Sequence, residues 1–174
     1  MKIYWVRHGF SENNKSRISS EDPTKNISLL DQGIRDANIL ADKLKDISID
    51  VIYTSEFPRT KQTAELINKF HGVKLIESNL INERKIGYEG IKFSEIGHLL
   101  KQEILGEGGE TTEEFIQRVH RFIGDIKDKD YKNIIIVTHM AVLQVVKGMI
   151  NNLDINKMRK QKIGHTEIIE QKIK

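Results

Sequence analysis

The sequence contains no cysteine among its 174 residues. This absence excludes disulfide-linked folds, zinc sites built on thiolates and cysteine nucleophiles. Proline is also scarce, with two residues, while hydrophobic and charged residues make up 38% and 30% of the chain. That composition is typical of a globular protein rather than a disordered or fibrous one. The length corresponds to one compact domain with a sizeable core, and we predict a single domain over residues 1–174.

Long apolar runs are missing as well. No stretch approaches the roughly 18 residues that a membrane-spanning helix needs. The first residues, MKIYWVRHG, reach an Arg–His pair too early for the apolar segment of a secretory signal. We therefore expect a cytoplasmic location and no membrane partner.

Blocks of one charge sign are absent too. The net charge is +3 and the sequence pI is about 9.0, but lysines alternate with acidic residues almost throughout. This pattern predicts a solvated surface and no nucleic-acid partner, whereas a small anionic substrate remains compatible with it. Charge alone does not identify the partner, and the sequence gives no indication of oligomeric state.

The hydrophobic pattern predicts alternating strands and helices. Strands are predicted at residues 2–7, 50–54, 73–76, 133–138 and 165–173. Helices are predicted at residues 30–44, 58–70, 93–104, 111–126 and 141–149. A polar stretch at 11–26 is predicted to be a long loop. The run NIIIVT at 133–138 lacks polar alternation, which indicates a strand buried on both faces. The order predicts an α/β fold, a three-layer α/β/α sandwich with a mostly parallel central sheet.

Three predicted strand ends carry the residues most suited to chemistry. The first strand ends in Arg7-His8, the second leads to Arg59, and the strand at 133–138 leads to His139. Open α/β sheets bind ligands beyond the carboxyl ends of their strands. The fold therefore predicts that two arginines and two histidines meet at one edge of the sheet.

This set of side chains matches the needs of phosphoryl transfer. Guanidinium groups bind phosphate oxygens with paired donors, and a neutral imidazole can attack phosphorus. We predict His8 as the nucleophile, Arg7 and Arg59 as phosphate ligands, and His139 as a donor to the phosphoryl oxygens. Glu83 is the best candidate for the acid that protonates the leaving alcohol. Because the arginines neutralise the phosphate charge, neither a metal nor another cofactor is expected.

Five segments resemble the conserved blocks of the histidine phosphatase superfamily, which is also called phosphoglycerate-mutase-like. These are RHGFSENN, YTSEFPRTKQTAELI, INERKIGYEG, GGETTEEFIQRV and VTHMAVLQVV. They occur in the family's order and cover nearly the whole chain. The resemblance implies the α/β/α sandwich, a phosphohistidine at His8 and an acid/base role for Glu83. It also places Arg7, Arg59, His139 and Asn14 around the phosphate.

Three features depart from the family pattern. The helix after the long loop begins LLDQG and lacks the usual threonine. The block after Glu83 is one residue short at 87–90, and Met140 stands where glycine commonly follows the second histidine. None of these changes removes a proposed catalytic group.

Several roles stay open on the sequence. Ser11 and Asn14 are candidate phosphate contacts, although they could instead shape the loop. Lys15, Arg17 and Arg84 could contact the rest of the substrate or be surface charges. Among the remaining histidines, His71, His98 and His120 are expected to lie outside the site. His165 opens the final predicted strand and could approach the pocket, although a role in the site is not favoured.

Four functions are compatible with these residues. We favour a phosphatase that hydrolyses a small phosphorylated metabolite. A phosphoglycerate mutase is the main alternative, because INERKIG resembles the corresponding block of the mutases. Mutases carry a longer insertion that covers the substrate and keeps water out, and the segment between Gly90 and Gly108 is too short to contain it. A non-catalytic phospholigand-binding module is disfavoured by the presence of His8, Arg59 and His139. A metal hydrolase is disfavoured because two arginines would repel a dication.

Overall fold

The computed structural model describes residues 1–173 and contains five strands in one sheet. The strands are β1 (Lys2–Arg7), β2 (Val51–Thr54), β3 (Lys74–Glu77), β4 (Asn133–Thr138) and β5 (Ile168–Lys172). Their order across the sheet is β3-β2-β4-β1-β5. All neighbours run parallel except β5, which pairs with β1 in the antiparallel direction.

Seven α-helices connect and cover these strands within the described part of the chain. They are α1 (Glu12–Ser16), α2 (Asp31–Leu44), α3 (Pro58–Asn68), α4 (Phe93–Lys101), α5 (Thr112–Lys127), α6 (Met140–Ile150) and α7 (Ile155–Arg159). A short 3-10 helix lies at Asn79–Ile81. The capping box that the sequence indicates at Thr111 and Glu114 begins α5, and it explains why this helix begins at Thr112.

Alternating side chains of the central strands build one core on each face of the sheet. In β4, Ile134 and Ile136 pack with α5 and α6, whereas Ile135 and Val137 pack with α2 and α3. All four side chains are fully buried. Such two-sided burial explains the unbroken apolar run of this strand. The predicted three-layer sandwich with a mostly parallel sheet is therefore confirmed.

Two local predictions are wrong in detail. The predicted loop at 11–26 contains α1, whose first turn is closed by Asn14 Oδ1 accepting a hydrogen bond from the Ser11 backbone N–H at 3.2 Å. The last strand begins at Ile168 rather than at residue 165. Thr166 has a φ of 55°, outside the extended region, and its N–H donates to the Arg7 carbonyl at 3.1 Å. The Arg7 N–H in turn donates to the Glu167 carbonyl at 3.2 Å, so the turn at 166–167 is hydrogen-bonded to the end of β1 and the regular strand begins after it.

Among residues 1–173, no helix has both the length and the apolar character needed to cross a membrane.

Candidate active site

The pairing of β1 with β4 brings the two predicted site histidines together. Arg7 and Thr138 are partners in the register, and the His8 N–H donates to the Thr138 carbonyl at 3.0 Å. The ring centroids of His8 and His139 are consequently 5.2 Å apart. The parallel sheet thus places Arg7, His8 and His139 at one edge, as the strand-end argument predicts.

His8 is buried and electrically neutral. Its Nδ1 lies 2.7 Å from the Gly9 carbonyl oxygen, which can only accept, so the ring proton belongs on Nδ1 and the lone pair on Nε2. Burial, reinforced by the positive charges of Arg59 and Arg7, lowers the pKa of His8 well below its usual 6.5. A neutral imidazole with its lone pair on Nε2 is chemically a nucleophile.

Gly9 allows the backbone after His8 to pass close to α2. A Cβ on Gly9 would lie 2.6 Å from the Gly33 carbonyl oxygen, and one on Gly33 would lie 2.1 Å from the Phe10 oxygen. Both positions therefore require glycine for contact reasons. This close approach explains why glycine follows His8 in the sequence.

Arg59 lies at the start of α3 and is almost fully buried, with 1% of its surface exposed. Its Nη1 and Nη2 donate to the Ser20 hydroxyl at 2.9 Å and the Ser20 carbonyl at 3.1 Å. The guanidinium also lies 4.3 Å above the Phe57 ring. Burial lowers the pKa of Arg59 to about 10, so the side chain remains a cation at neutral pH. Ser20 thus fixes the orientation of a buried positive charge.

Arg7 and Arg59 each retain an unused donor. Arg7 Nη1 donates to the Ile163 carbonyl at 2.5 Å. The Nε atoms of both arginines are buried, and residues 1–173 supply neither of them with a hydrogen-bond partner. Buried donors without partners are costly, and both guanidiniums border one cavity, where a bound anion would lie beside them.

His139 is fully buried at the start of α6. Its Nε2 is 2.8 Å from the Ser55 hydroxyl, and its Nδ1 is 3.4 Å from Arg59 Nη2. Burial and the charge of Arg59 lower the pKa of His139 well below 6.5. His139 therefore connects Arg59 to Ser55 and is neutral like His8.

Glu83 approaches the same region from the segment after the 3-10 helix. Its Oε1 accepts from the backbone N–H groups of Arg84 at 3.0 Å and Ala141 at 3.3 Å. Burial raises the pKa of the Glu83 carboxyl, although these donors and the two arginines oppose the shift. A carboxyl group with a raised pKa beside a phosphate site is suited to proton transfer.

These side chains line a cavity of about 200 Å³. Arg7, His8, Arg59, Glu83 and Asn14 all border it. His139 lies behind His8 and Arg59 and does not border it. Ser11 is buried in the loop, where its hydroxyl donates to Asn14 Oδ1 at 2.7 Å, and it does not reach the cavity either. Of the two loop candidates, only Asn14 is placed where it could touch a ligand.

Residues whose roles stayed open on the sequence fall into two groups, those that border the cavity and those that do not. Arg84 and Met140 border the cavity, with Met140 39% exposed, whereas Lys15 and Arg17 are exposed and lie elsewhere.

In the shortened segment at 87–90, Gly87 has a φ of 79°, and a Cβ there would lie 2.3 Å from the Gly106 backbone. The shorter loop is thus accommodated by two glycines in contact.

His165 lies beside the nucleophile, the approach to the pocket that the sequence left open, although it does not border the cavity. Its Nδ1 donates to the His8 carbonyl at 3.2 Å, and its ring centroid is 5.8 Å from that of His8 and 5.3 Å from that of Phe10. The sequence provides no indication of three residues that border the cavity, Ser19, Ser20 and Glu21. No local pattern marks these residues, because their partners are distant in sequence.

Within residues 1–173, no group of three His, Asp or Glu side chains is arranged to hold a metal ion. Three arginines, Arg7, Arg59 and Arg84, border the cavity, against two glutamates, Glu21 and Glu83. The excess of positive charge suits the binding of an anion.

Comparison with known proteins agrees with this arrangement. The family model described as histidine phosphatase superfamily (branch 1) matches residues 3–174. The adenosylcobalamin/alpha-ribazole phosphatase of Escherichia coli is 26% identical over 84% of this chain and 77% of its own length. Phosphoserine phosphatase 1 of Hydrogenobacter thermophilus is 23% identical over 90% of this chain and 79% of its own. The crystal structure of the alpha-ribazole phosphatase from Shigella flexneri superposes with a TM-score of 0.87 at 24% identity, covering 100% of this chain and 91% of that one.

Proposed function

This chain belongs to the histidine phosphatase superfamily and is a phosphatase, and we propose that it hydrolyses a small phosphomonoester through a phosphohistidine on His8. One observation carries the proposal. The His8 Nδ1 is held by the Gly9 carbonyl, so a neutral ring presents its lone pair on Nε2 beside two arginines with unused donors. This combination suits attack on a bound phosphate.

In the first step, the Nε2 lone pair attacks phosphorus and the bond from phosphorus to the ester oxygen breaks. Arg7 and Arg59 neutralise the charge on the non-bridging oxygens. Glu83 gives its proton to the leaving oxygen, so the alcohol departs neutral. In the second step, the Glu83 carboxylate takes a proton from water, whose oxygen attacks phosphorus. The bond to Nε2 then breaks, which regenerates neutral His8 and protonated Glu83.

His139 takes part by orienting Arg59. Its Nδ1 accepts from Arg59 Nη2 at 3.4 Å, and its Nε2–H donates to the Ser55 hydroxyl at 2.8 Å. Because the ring lies behind His8 and Arg59, it holds the guanidinium in place for the phosphate rather than contacting the phosphate directly. The neutral form that its lowered pKa favours leaves Nδ1 able to accept this hydrogen bond.

The names of relatives suggest which esters to test. One relative is named for phosphoserine and another for α-ribazole phosphate. We propose a small phosphorylated metabolite of this kind as the substrate, with no nucleic-acid or membrane partner and no metal requirement. A cytoplasmic location fits such a substrate.

The test is a panel of phosphate esters with purified enzyme, with and without EDTA. The panel contains p-nitrophenyl phosphate, O-phosphoserine, α-ribazole phosphate and 3-phosphoglycerate. We expect phosphate release that EDTA does not change, an acid-labile phosphoenzyme, and a loss of about a thousandfold or more in His8→Ala. His98→Ala, at an exposed histidine on α4, is the matched control. Wild-type rates in His8→Ala would refute the mechanism, and faster interconversion of phosphoglycerates than phosphate release would indicate a mutase.

A further inference from the structure

A second cavity of about 260 Å³ adjoins the catalytic one. Four residues, Arg84, Leu100, Met140 and Ala141, border both cavities, so the two are neighbours that share one wall. The second cavity lies between α5, α6 and α7. A group attached to a phosphate beside His8 would reach the second cavity past Leu100 and Met140, whose side chain is 39% exposed.

The wall of the second cavity is mainly apolar. Its apolar side chains, besides Leu100 and Met140, are Phe115, Ile116, Val145 and Met158. Arg159, an exposed residue that borders the cavity, is already paired, because its Nη1 lies 2.6 Å from Glu103 Oε1. The same oxygen accepts from the Thr112 hydroxyl at 2.8 Å. The interior is thus suited to a neutral apolar group rather than to a second anion.

Arg84 marks the junction of the two cavities. Its Nη2 donates to the Glu110 carbonyl at 3.2 Å. Its Nε is buried, and nothing in the described part of the chain accepts a hydrogen bond from it. Because Arg84 borders both cavities, an acceptor atom between the phosphate and the apolar group of a ligand would lie beside its guanidinium.

We propose that the second cavity is a leaving-group subsite, and that the preferred substrates are phosphomonoesters whose alcohol carries a bulky aromatic or other apolar group. This inference rests on the proposed phosphatase function and narrows its substrate class. Small polar esters such as O-phosphoserine fill only the catalytic cavity. They leave the apolar wall in contact with water, and the gain from burying apolar surface is lost.

The experiment compares two esters of primary alcohols, ethyl phosphate and 2-(1-naphthyl)ethyl phosphate. Their leaving groups have similar basicity, so a difference in kcat/KM reports contacts of the naphthyl ring. We expect the wild-type enzyme to favour the naphthyl ester by at least about tenfold. In Ile116→Trp, where the new side chain fills the cavity, that ratio should fall by at least about tenfold.

The control is Gln117→Trp, which places the same indole on the exposed side of α5 and should keep the wild-type ratio. Inhibition by 1-naphthol is measured on wild-type enzyme, so the result does not depend on one variant folding. Weak preference for the naphthyl ester, no inhibition, or an unchanged ratio in folded Ile116→Trp would each overturn the subsite. If neither ester nor p-nitrophenyl phosphate released phosphate, the phosphatase function itself would fail.

Discussion

At the scale of single residues, two neutral histidines are the most consequential feature. Folding buries His8 and His139 beside Arg59, and this lowers the pKa of both rings well below 6.5. In the unfolded chain both would titrate near 6.5. As the pH falls below that value, the unfolded chain binds protons that the folded protein does not, so the free energy of unfolding decreases.

We therefore predict that acidification from pH 7 to pH 5 destabilises the protein. Each histidine should lower the free energy of unfolding by up to about 1.4 kcal/mol per pH unit of acidification. His8→Asn should remove the contribution of one histidine from this slope. Denaturant unfolding at several pH values, in buffer without phosphate, measures this slope. Glu83, whose pKa is raised, acts with the opposite sign, so each variant is compared with wild type at the same pH.

The control for this experiment is His120→Asn, at an exposed histidine of α5, which should keep the wild-type slope. A wild-type slope in His8→Asn would show that His8 is protonated in the folded protein, contrary to the lowered pKa that burial and Arg59 give it.

Glu83 leads to a second prediction at this scale. If this carboxyl protonates the leaving oxygen, its loss should matter most for poor leaving groups. We expect Glu83→Gln to reduce kcat by about a hundredfold or more for alkyl phosphates and far less for p-nitrophenyl phosphate. Steady-state kinetics over esters of graded leaving-group pKa measures the effect. Glu95→Gln, at an exposed glutamate of α4, is the control, and an equal loss for every ester would argue against proton donation.

At the scale of elements, two surface segments hold each other by reciprocal carboxylate contacts. The Glu21 carboxylate accepts from the backbone N–H groups of Ile86 and Gly87, both at 2.8 Å, and of Tyr88 at 3.2 Å. In return, Glu89 accepts from the backbone N–H groups of Glu21 and Asp22. Because Ser20 holds Arg59, this pair of contacts also supports the phosphate site.

We predict that Glu21→Gln loosens both segments, because an amide offers one acceptor oxygen and places N–H groups against backbone donors. The free energy of unfolding should fall by about 2 kcal/mol, and KM should rise by about tenfold as Arg59 loses its support. Denaturant unfolding and steady-state kinetics measure the two effects. Asp22→Asn, at a side chain that accepts hydrogen bonds from Thr24 in its own turn, is the control. Wild-type KM and stability in Glu21→Gln would contradict the prediction.

At the scale of the whole molecule, the unused arginine donors couple ligand binding to stability. Inorganic phosphate, the product, should bind only the folded site and therefore stabilise the protein. At ten times its dissociation constant it should contribute about 1.4 kcal/mol. For a chain of this size that raises the Tm by about 3 to 6 °C.

Differential scanning fluorimetry with phosphate, against chloride at equal ionic strength, measures this shift. Arg59→Ala should abolish the shift, because it removes one of the three arginines, with Arg7 and Arg84, whose Nε has no partner among the described residues. Lys61→Ala, on the same helix and paired with Glu77 at the surface, should retain it. Equal shifts with chloride, or a full shift in Arg59→Ala, would show that phosphate acts elsewhere.

Much of this protein follows from its sequence by local rules. The apolar run NIIIVT indicates the two-sided burial of β4. The rule that ligands bind beyond the carboxyl ends of parallel strands correctly predicts that Arg7, His8, Arg59 and His139 meet at one edge of the sheet. These inferences succeeded because periodicity and strand direction depend on neighbouring residues. Tertiary structure alone decided that His165 lies against His8, 157 positions earlier, and that Glu21 holds the segment at 86–88. Such contacts depend on how loops close between distant residues, and no local pattern encodes that geometry.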